Sequence, residues 1–339
     1  MGSPRSSFAA MSTRMTKAVL AVCVLVLASR AMPLLADGTP VPDSSRERSR
    51  NVSPKAELAF YASQSVVTDP GEHADMYADL PSEVSELCKV VQGSLIHVFH
   101  AFRHGVSLTE EQKKDAGIRR VEEMLARIGA TDSRPLRFAR EPDQRLAANC
   151  RGYAVLLTSL LRHKGVAARA RCGFAGYFSI PGSGWYDEHW VCQYWNGKER
   201  RWVWVDPQVD DPQREAFHID FNTYDMSAGK FLPAGETWAL AQSGKIDPDH
   251  CGIGELHGQW FIGDDVARDF MALNKLELLP WDWTQFMTAR KGGDMSADEK
   301  RLLDRLAALG ASPDTSFAEL RDLYKQDNPM FRMPKGWEP

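Results

Sequence analysis

Asn149-Cys150-Arg151-Gly152-Tyr153-Ala154-Val155-Leu156-Leu157 is the stretch on which the fold turns. A residue able to cap a helix stands directly before a thiol. Val155, Leu156, Leu157, Leu160 and Leu161 then carry an apolar run to Gly165, a helix stop. The sides of this segment are too apolar to face water, so the pattern predicts a central buried helix starting at Cys150. A thiol at a helix N-terminus meets the positive end of the dipole and free backbone N–H groups, and both favour thiolate. The same N–H groups suit the oxyanion of a tetrahedral intermediate.

Downstream, Val166–Phe174 alternates as a strand does, and Ile180-Pro181-Gly182-Ser183-Gly184 has the chemistry of a loop. His189–Trp195 and Arg201–Asp206 read as two further strands joined through Asn196-Gly197-Lys198-Glu199. If Gly197-Lys198 form the centre of a two-residue type II′ turn, Tyr194 opposes Arg201, Cys192 opposes Val203 and His189 opposes Asp206. Opposed residues share a face with Cβ atoms about 4.5–5.5 Å apart, the separation a carboxylate needs to accept from an imidazole N–H. A slip of one residue would part them. A turn centred on Asn196-Gly197 is the competing register. A cysteine nucleophile needs a base, and the base a group that holds its tautomer. Cys150, His189 and Asp206 are the candidates for those three parts.

Composition is that of a soluble globular protein, with 43% hydrophobic and 25% charged residues in 339. Net charge is −4, and the first 36 residues carry Arg5, Arg14, Lys17 and Arg30 with no acid, which leaves a body near −8. Such a body is a poor binder of nucleic acid. All ten Trp lie from Trp185 onward and belong in core or cleft wall.

Four segments follow from the pattern. Residues 1–36 resemble a targeting leader: a basic stretch, the apolar run Ala18–Ser29, and small residues at Ser29 and Ala31. The run is short for a bilayer span, so export or N-terminal anchoring is the expectation, and the membrane is met only through an uncleaved leader. A start further downstream, and a cytoplasmic protein, is the alternative. Residues 37–55 are a polar linker, 56–291 the catalytic domain and 292–339 a helical appendage with capping boxes at Ser296/Glu299 and Ser316/Glu319. Inside the domain, Pro81-Ser82-Glu83 opens a helix whose apolar members, Val84 to Phe102, recur until Gly105. Thr109/Gln112 caps a second helix carrying Ile118, Val121, Leu125 and Ile128, and a third is expected at Asp264–Lys275. Five cysteines beyond Cys23 suit either one free thiol with two disulfides or five reduced thiols.

Together these residues resemble the transglutaminase-like superfamily, papain-related thiol enzymes in the order Cys, His, Asp. Asn149-Cys150-Arg151-Gly152, Arg169-Ala170-Arg171-Cys172-Gly173-Phe174, Glu188-His189-Trp190-Val191 and Trp204-Val205-Asp206 carry the likeness. It is strong over 140–212, and the wider 57–290 stretch looks like bacterial-type members. The resemblance implies an α+β papain-like core with the nucleophile helix packed on an antiparallel sheet. It also implies Cys150 as nucleophile, His189 as general base and acid, and Asp206 as orienting group. The chemistry implied is acyl transfer on an amide or ester of a peptide, protein or other substrate, with no cofactor: hydrolysis, deamidation, amine transfer or glycan removal. Animal transglutaminases place an oxyanion-stabilising Trp upstream of the Cys, and this chain has none there. Gln144, six positions before Cys150, resembles the papain-like oxyanion donor. No acidic cluster looks like a calcium loop.

Other residues invite weighing. Arg151 could draw a carboxylate-bearing substrate, although a helix-surface ion pair is the blander reading. Trp185, Asp187 and Glu188 stand just before His189 and could line the acyl or amine subsite, or merely close a strand end. His97, His100 and His104 recur at i, i+3 and i+7 and could gather on one helix as a metal site. A metal-binding protein and a non-catalytic binding module that retains the fold are therefore the rivals to a thiol enzyme.

Overall fold

The computed structural model describes residues 55–290, 294–326 and 328–339. The leader 1–36, the linker through residue 54 and Cys23 lie outside them. In chain order the helices are α1 (Lys55–Ala62), α2 (Val84–Ser94), α3 (Glu110–Lys114), α4 (Val121–Thr131), α5 (Cys150–His163), α6 (Asp211–Ala216), α7 (Ala234–Gln242), α8 (Gln259–Leu273), α9 (Gln285–Arg290), α10 (Ala297–Ala311) and α11 (Phe317–Tyr324). The strands are β1 (Leu95–His97), β2 (Leu146–Ala148), β3 (Ala168–Ala175), β4 (Tyr186–Asn196), β5 (Arg201–Val205), β6 (Phe231–Pro233), β7 (Cys251–Ile253) and β8 (Leu256–His257). The chain divides into two units, and the elements that carry the site belong to the larger one, Ser53–Gly252 with His257–Pro339.

Helix α5 is buried from Cys150 to Arg162, as its all-round apolar sequence requires. It packs on β3 and β4. Trp190, Cys192, Cys172 and Ala170 from the sheet meet Tyr153, Leu156, Leu157 and Leu160, and Leu87 and Val91 of α2 and Leu125 of α4 close the same core. The fold is α+β. β4 is the central strand: β3 pairs with it antiparallel from Ala168↔Tyr194 to Ala175↔Asp187, and β5 from Cys192↔Val205 to Asn196↔Arg201. One strand departs from the antiparallel expectation, because β7 runs parallel to the start of β4, with Tyr186 opposite Cys251.

The β4–β5 register differs from the expected one. Asn196 pairs with Arg201, so the connection is a four-residue loop, Gly197 to Arg200, in place of a two-residue turn. Asn196 explains it: its side-chain oxygen accepts from the Lys198 and Glu199 amides, and its carbonyl accepts from Arg200 N–H at 2.7 Å. Arg200 takes up the left-handed conformation, φ 55°, that closes such a loop. Tyr194 therefore opposes Val203, a shift of two, which preserves the face of every side chain.

Two helical expectations are also corrected. The apolar run from Val84 does not continue to Gly105; α2 ends at Ser94, and Leu95–His97 become β1, paired in parallel with β2. The segment after Thr109 is not one helix. Its capping box forms, but α3 is short, a 3-10 turn over Asp115–Gly117 follows, and Ile118 and Arg120 are extended before α4 begins. The third helix starts earlier than expected, at Gln259, and ends at Leu273.

Beyond residue 293, the Ser296/Glu299 capping box forms at α10, while Ser316 makes no side-chain cap to α11. Helix α10 lies against α7: Trp238 Nε1 donates to Asp304 at 2.7 Å, and a Cβ built on Gly235 would stand 2.5 Å from the Ala307 carbonyl oxygen. Among the described residues no helix is long and apolar enough to cross a membrane. The five cysteines among the described residues are free and buried.

Candidate active site

The β1–β2 pair delivers the chain to the tip of α5, with His97 opposite Ala148 two residues before Cys150. Asn149 caps the helix through its side-chain oxygen, 3.0 Å from Gly152 N–H. Cys150 is the first helical residue and only 7% exposed. Backbone N–H groups of Trp190 and Arg151 face its sulfur and favour thiolate. They do not win. Burial pushes the thiol well above its usual range, and the acidic groups of Glu188 and Asp206 add to that. The amides at the helix tip favour thiolate as expected, but the desolvation of a nearly enclosed sulfur outweighs them.

His189 and Asp206 are both buried. His189 lies on β4 beyond the last residue paired with β5, and Asp206 follows the end of β5, held by its own N–H on the Thr223 carbonyl at 2.8 Å. His189 Nε2 stands 2.9 Å from Asp206 Oδ2. That carboxylate is fully subscribed. Tyr177 O–H donates to the same Oδ2 at 2.6 Å, and Gln208 N–H to Oδ1 at 2.8 Å. Tyr177 stands 6.0 Å from the His189 ring, centre to centre, and Phe178 4.8 Å from it. With Nε2 committed to Asp206, Nδ1 is the nitrogen left for a thiol. Tyr177 and Phe178 carry no sequence signal, since a 3-10 turn after β3 has no periodicity.

The remaining candidates divide. Arg151 is buried, and its guanidinium donates to the Glu277 carbonyl at 3.1 Å and reaches toward that of Ile118 at 3.4 Å. It is neither a surface ion pair nor a substrate contact; it ties α5 to the chain after α8. Glu188 is likewise withdrawn from the substrate candidates. β4 alternation puts it on the core face with Trp190, whose indole N–H donates to it at 2.9 Å. Burial, with Asp265 beside it, pushes the Glu188 carboxyl up to about 8, and burial raises Asp265 to about 6 against the pull of Arg268. Asp187 lies half-buried in β4 and accepts from Ser179 Oγ at 2.5 Å and Trp185 Nε1 at 3.1 Å. Trp185 lies against His257. Gln144 is exposed in a 3-10 turn ahead of β2.

The three histidines do not gather. His97 ends β1, His100 stacks on it with ring centres 4.7 Å apart, and His104 pairs with Asp210 at 2.9 Å. The helix needed to align them stops at Ser94. Burial holds His97 well below its usual range and His100 down at about 4, and both feel the charge of nearby His189. Among the described residues, the group of three potential ligand side chains whose atoms lie within 4.8 Å of one another is Cys172, Glu188 and Asp265. Arg268 already neutralises that group from 2.6 Å.

Fold and order of groups are those of a papain-like thiol enzyme family, and the comparison with known families agrees. Residues 103–207 match the model of the transglutaminase-like superfamily, a stretch that contains Cys150, His189 and Asp206. This part of the chain is a transglutaminase-like domain. Neither the curated proteins nor the solved structures contain a match to the chain.

Proposed function

We propose that this chain is a thiol enzyme of acyl transfer, with Cys150 as nucleophile, His189 as general base and acid, and Asp206 as the group that orients His189. The observation that carries the reading is the 2.9 Å bond from His189 Nε2 to Asp206; the Cys150 thiol, at a helix tip, is faced by two backbone amides. Because burial keeps the thiol protonated, attack on an amide or ester carbonyl occurs with transfer of the Cys150 proton to His189 Nδ1. The Arg151 N–H in the first turn of α5 supports the oxyanion, taking the part that Gln144 would have played. Collapse expels the amine or alcohol with a proton from His189 and leaves a thioester on Cys150. Water or a second amine, deprotonated by His189, then releases the acyl group. No step draws on a metal or organic cofactor. Substrates are peptides, proteins or other molecules bearing an amide or ester.

Mass spectrometry of the intact protein after brief exposure to a panel of activated esters, glutamine peptides and glycopeptides tests this. An acyl adduct on Cys150 that disappears with time, and is absent in Cys150→Ala, supports the enzyme. A panel that leaves the wild-type protein unmodified and unconsumed supports the rival reading, a binding module that retains the fold; the nearly enclosed thiol is the feature that favours it.

A further inference from the structure

Arg103 stands in an unusual setting for a cation. It opens onto the ring cluster that surrounds His189, in the turn after β1 that packs against α6. Its guanidinium carbon lies 4.6 Å from the centre of the Phe217 ring and 4.9 Å from that of Phe102. Phe217 touches Phe178 at 5.2 Å between ring centres, and Phe178 touches His189 at 4.8 Å. Two rings thus connect Arg103 to the proposed base. Its charge also depresses His100, which in turn feels His189.

Among the described residues Arg103 has no carboxylate partner, and its buried Nε has no hydrogen-bond acceptor. The acid at the start of the facing α6 is not available to it: Asp210 is held by His104 at 2.9 Å and by the Gln213 amide that it caps. The imidazole beside it, His100, is held neutral by burial and by the Arg103 charge and offers no negative charge. A half-buried guanidinium set against two phenyl rings is partly desolvated and positioned by them, and the partner it lacks is an anion. Phe102, 60% exposed, extends the same shelf with apolar surface.

We propose that Arg103, with Phe102 and Phe217, is a substrate subsite that takes a carboxylate at a distance from the scissile bond, as on an acidic peptide side chain or a chain terminus. The proposal rests on the thiol-enzyme reading and narrows its substrates to anionic ones. It reassigns to Arg103 the carboxylate recognition that the sequence suggested for Arg151.

The test compares 6-maleimidohexanoic acid with its primary amide as labels for Cys150. Addition of the thiol across the maleimide double bond forms one C–S bond and moves the thiol proton to the neighbouring carbon. The two reagents differ only in a distal charge. The acid is expected to label Cys150 roughly two- to fivefold faster than the amide, the range of a half-exposed ion pair. The advantage persists in Arg103→Lys, fades in high salt and vanishes in Arg103→Gln. Equal rates in the wild-type protein, or an advantage unchanged in Arg103→Gln, overturn the subsite. The ratio is read at Cys150 whatever its absolute rate, so failure of the thiol-enzyme reading shows separately, as indifference of both rates to His189→Ala. If Cys150 labels too slowly for a ratio, the Arg103 Nε–H resonance decides: a shift with millimolar adipate but not adipamide is expected, and no shift refutes the subsite.

Discussion

His189 and Asp206 meet diagonally across the open end of the β4–β5 ribbon. Asp206 falls in line with Val191, two residues along β4 from His189 and on the same face, and the side chains close the gap to 2.9 Å. Diagonal neighbours in a ribbon are farther apart than opposed ones, roughly 7–8 Å, so the contact depends on side chains held in place. Tyr177, Gln208 and Thr223 supply that hold.

Asp206→Asn is expected to lower activity and stability together. Three donors converge on the carboxylate, and an amide can accept from only one side. Its NH2 must face either the Gln208 N–H or the His189 and Tyr177 donors, which strands a buried polar group at a cost of about 1–3 kcal/mol. Denaturant unfolding and substrate turnover measure the two effects. A variant as stable as the wild-type protein would show that the three bonds do not coexist.

Tyr177→Phe removes one donor from Asp206 and keeps the ring against Phe178 and Phe221. Asp206 retains two donors, so the loss of stability should stay near 1 kcal/mol. Turnover should fall about three- to tenfold with little change in KM, since the hydroxyl fixes the carboxylate rather than the substrate. Unchanged turnover would remove Tyr177 from the positioning scheme.

Stability should depend on pH in opposite senses at two sites. Glu188 and Asp265 titrate as a pair held above the usual carboxylate range, Glu188 at about 8. The native protein therefore keeps a proton that the unfolded chain releases, and this contribution to stability is lost as pH rises from the ordinary carboxylate range through about 8. Glu188→Gln, melted across that window, should show a flatter profile than the wild-type protein. His97 and His100 act the other way. Their folded values lie below the ordinary 6.5, His100 at about 4, so stability present above 6.5 is lost as pH falls toward 4. His100→Phe should soften that acid limb; an identical limb would contradict the burial of a neutral imidazole.

How far the sequence discloses this site depends on which physical signal each residue carries. Helix α5 is legible because burial on all sides and a capping Asn leave their mark in one short stretch. His189 and Asp206 are legible as a same-face pair because any even shift of register preserves parity; the loop is two residues longer than its sequence suggests because Asn196 folds its side chain back on the turn. The α2 pattern overruns the helix because Leu95 fits both helical spacing and the buried strand it enters, and Val98 and Phe102 keep that spacing from turns. Arg151 is not legible, because a charged residue beside a nucleophile suggests a surface and only tertiary contact reveals the carbonyls that hold it. Tyr177, Phe178 and Arg103 lie in turns, where no periodicity betrays what a side chain will face.

The central claim is that His189 draws the proton from the Cys150 thiol, and the rate of iodoacetamide alkylation at Cys150 tests it most directly. Site-resolved mass spectrometry at neutral pH should find Cys150 labelled well ahead of Cys88, Cys172, Cys192 and Cys251, with a rate that falls about 10²–10⁴-fold in His189→Ala. Slow and uniform labelling of all five thiols, unaltered by loss of the imidazole, would contradict the account.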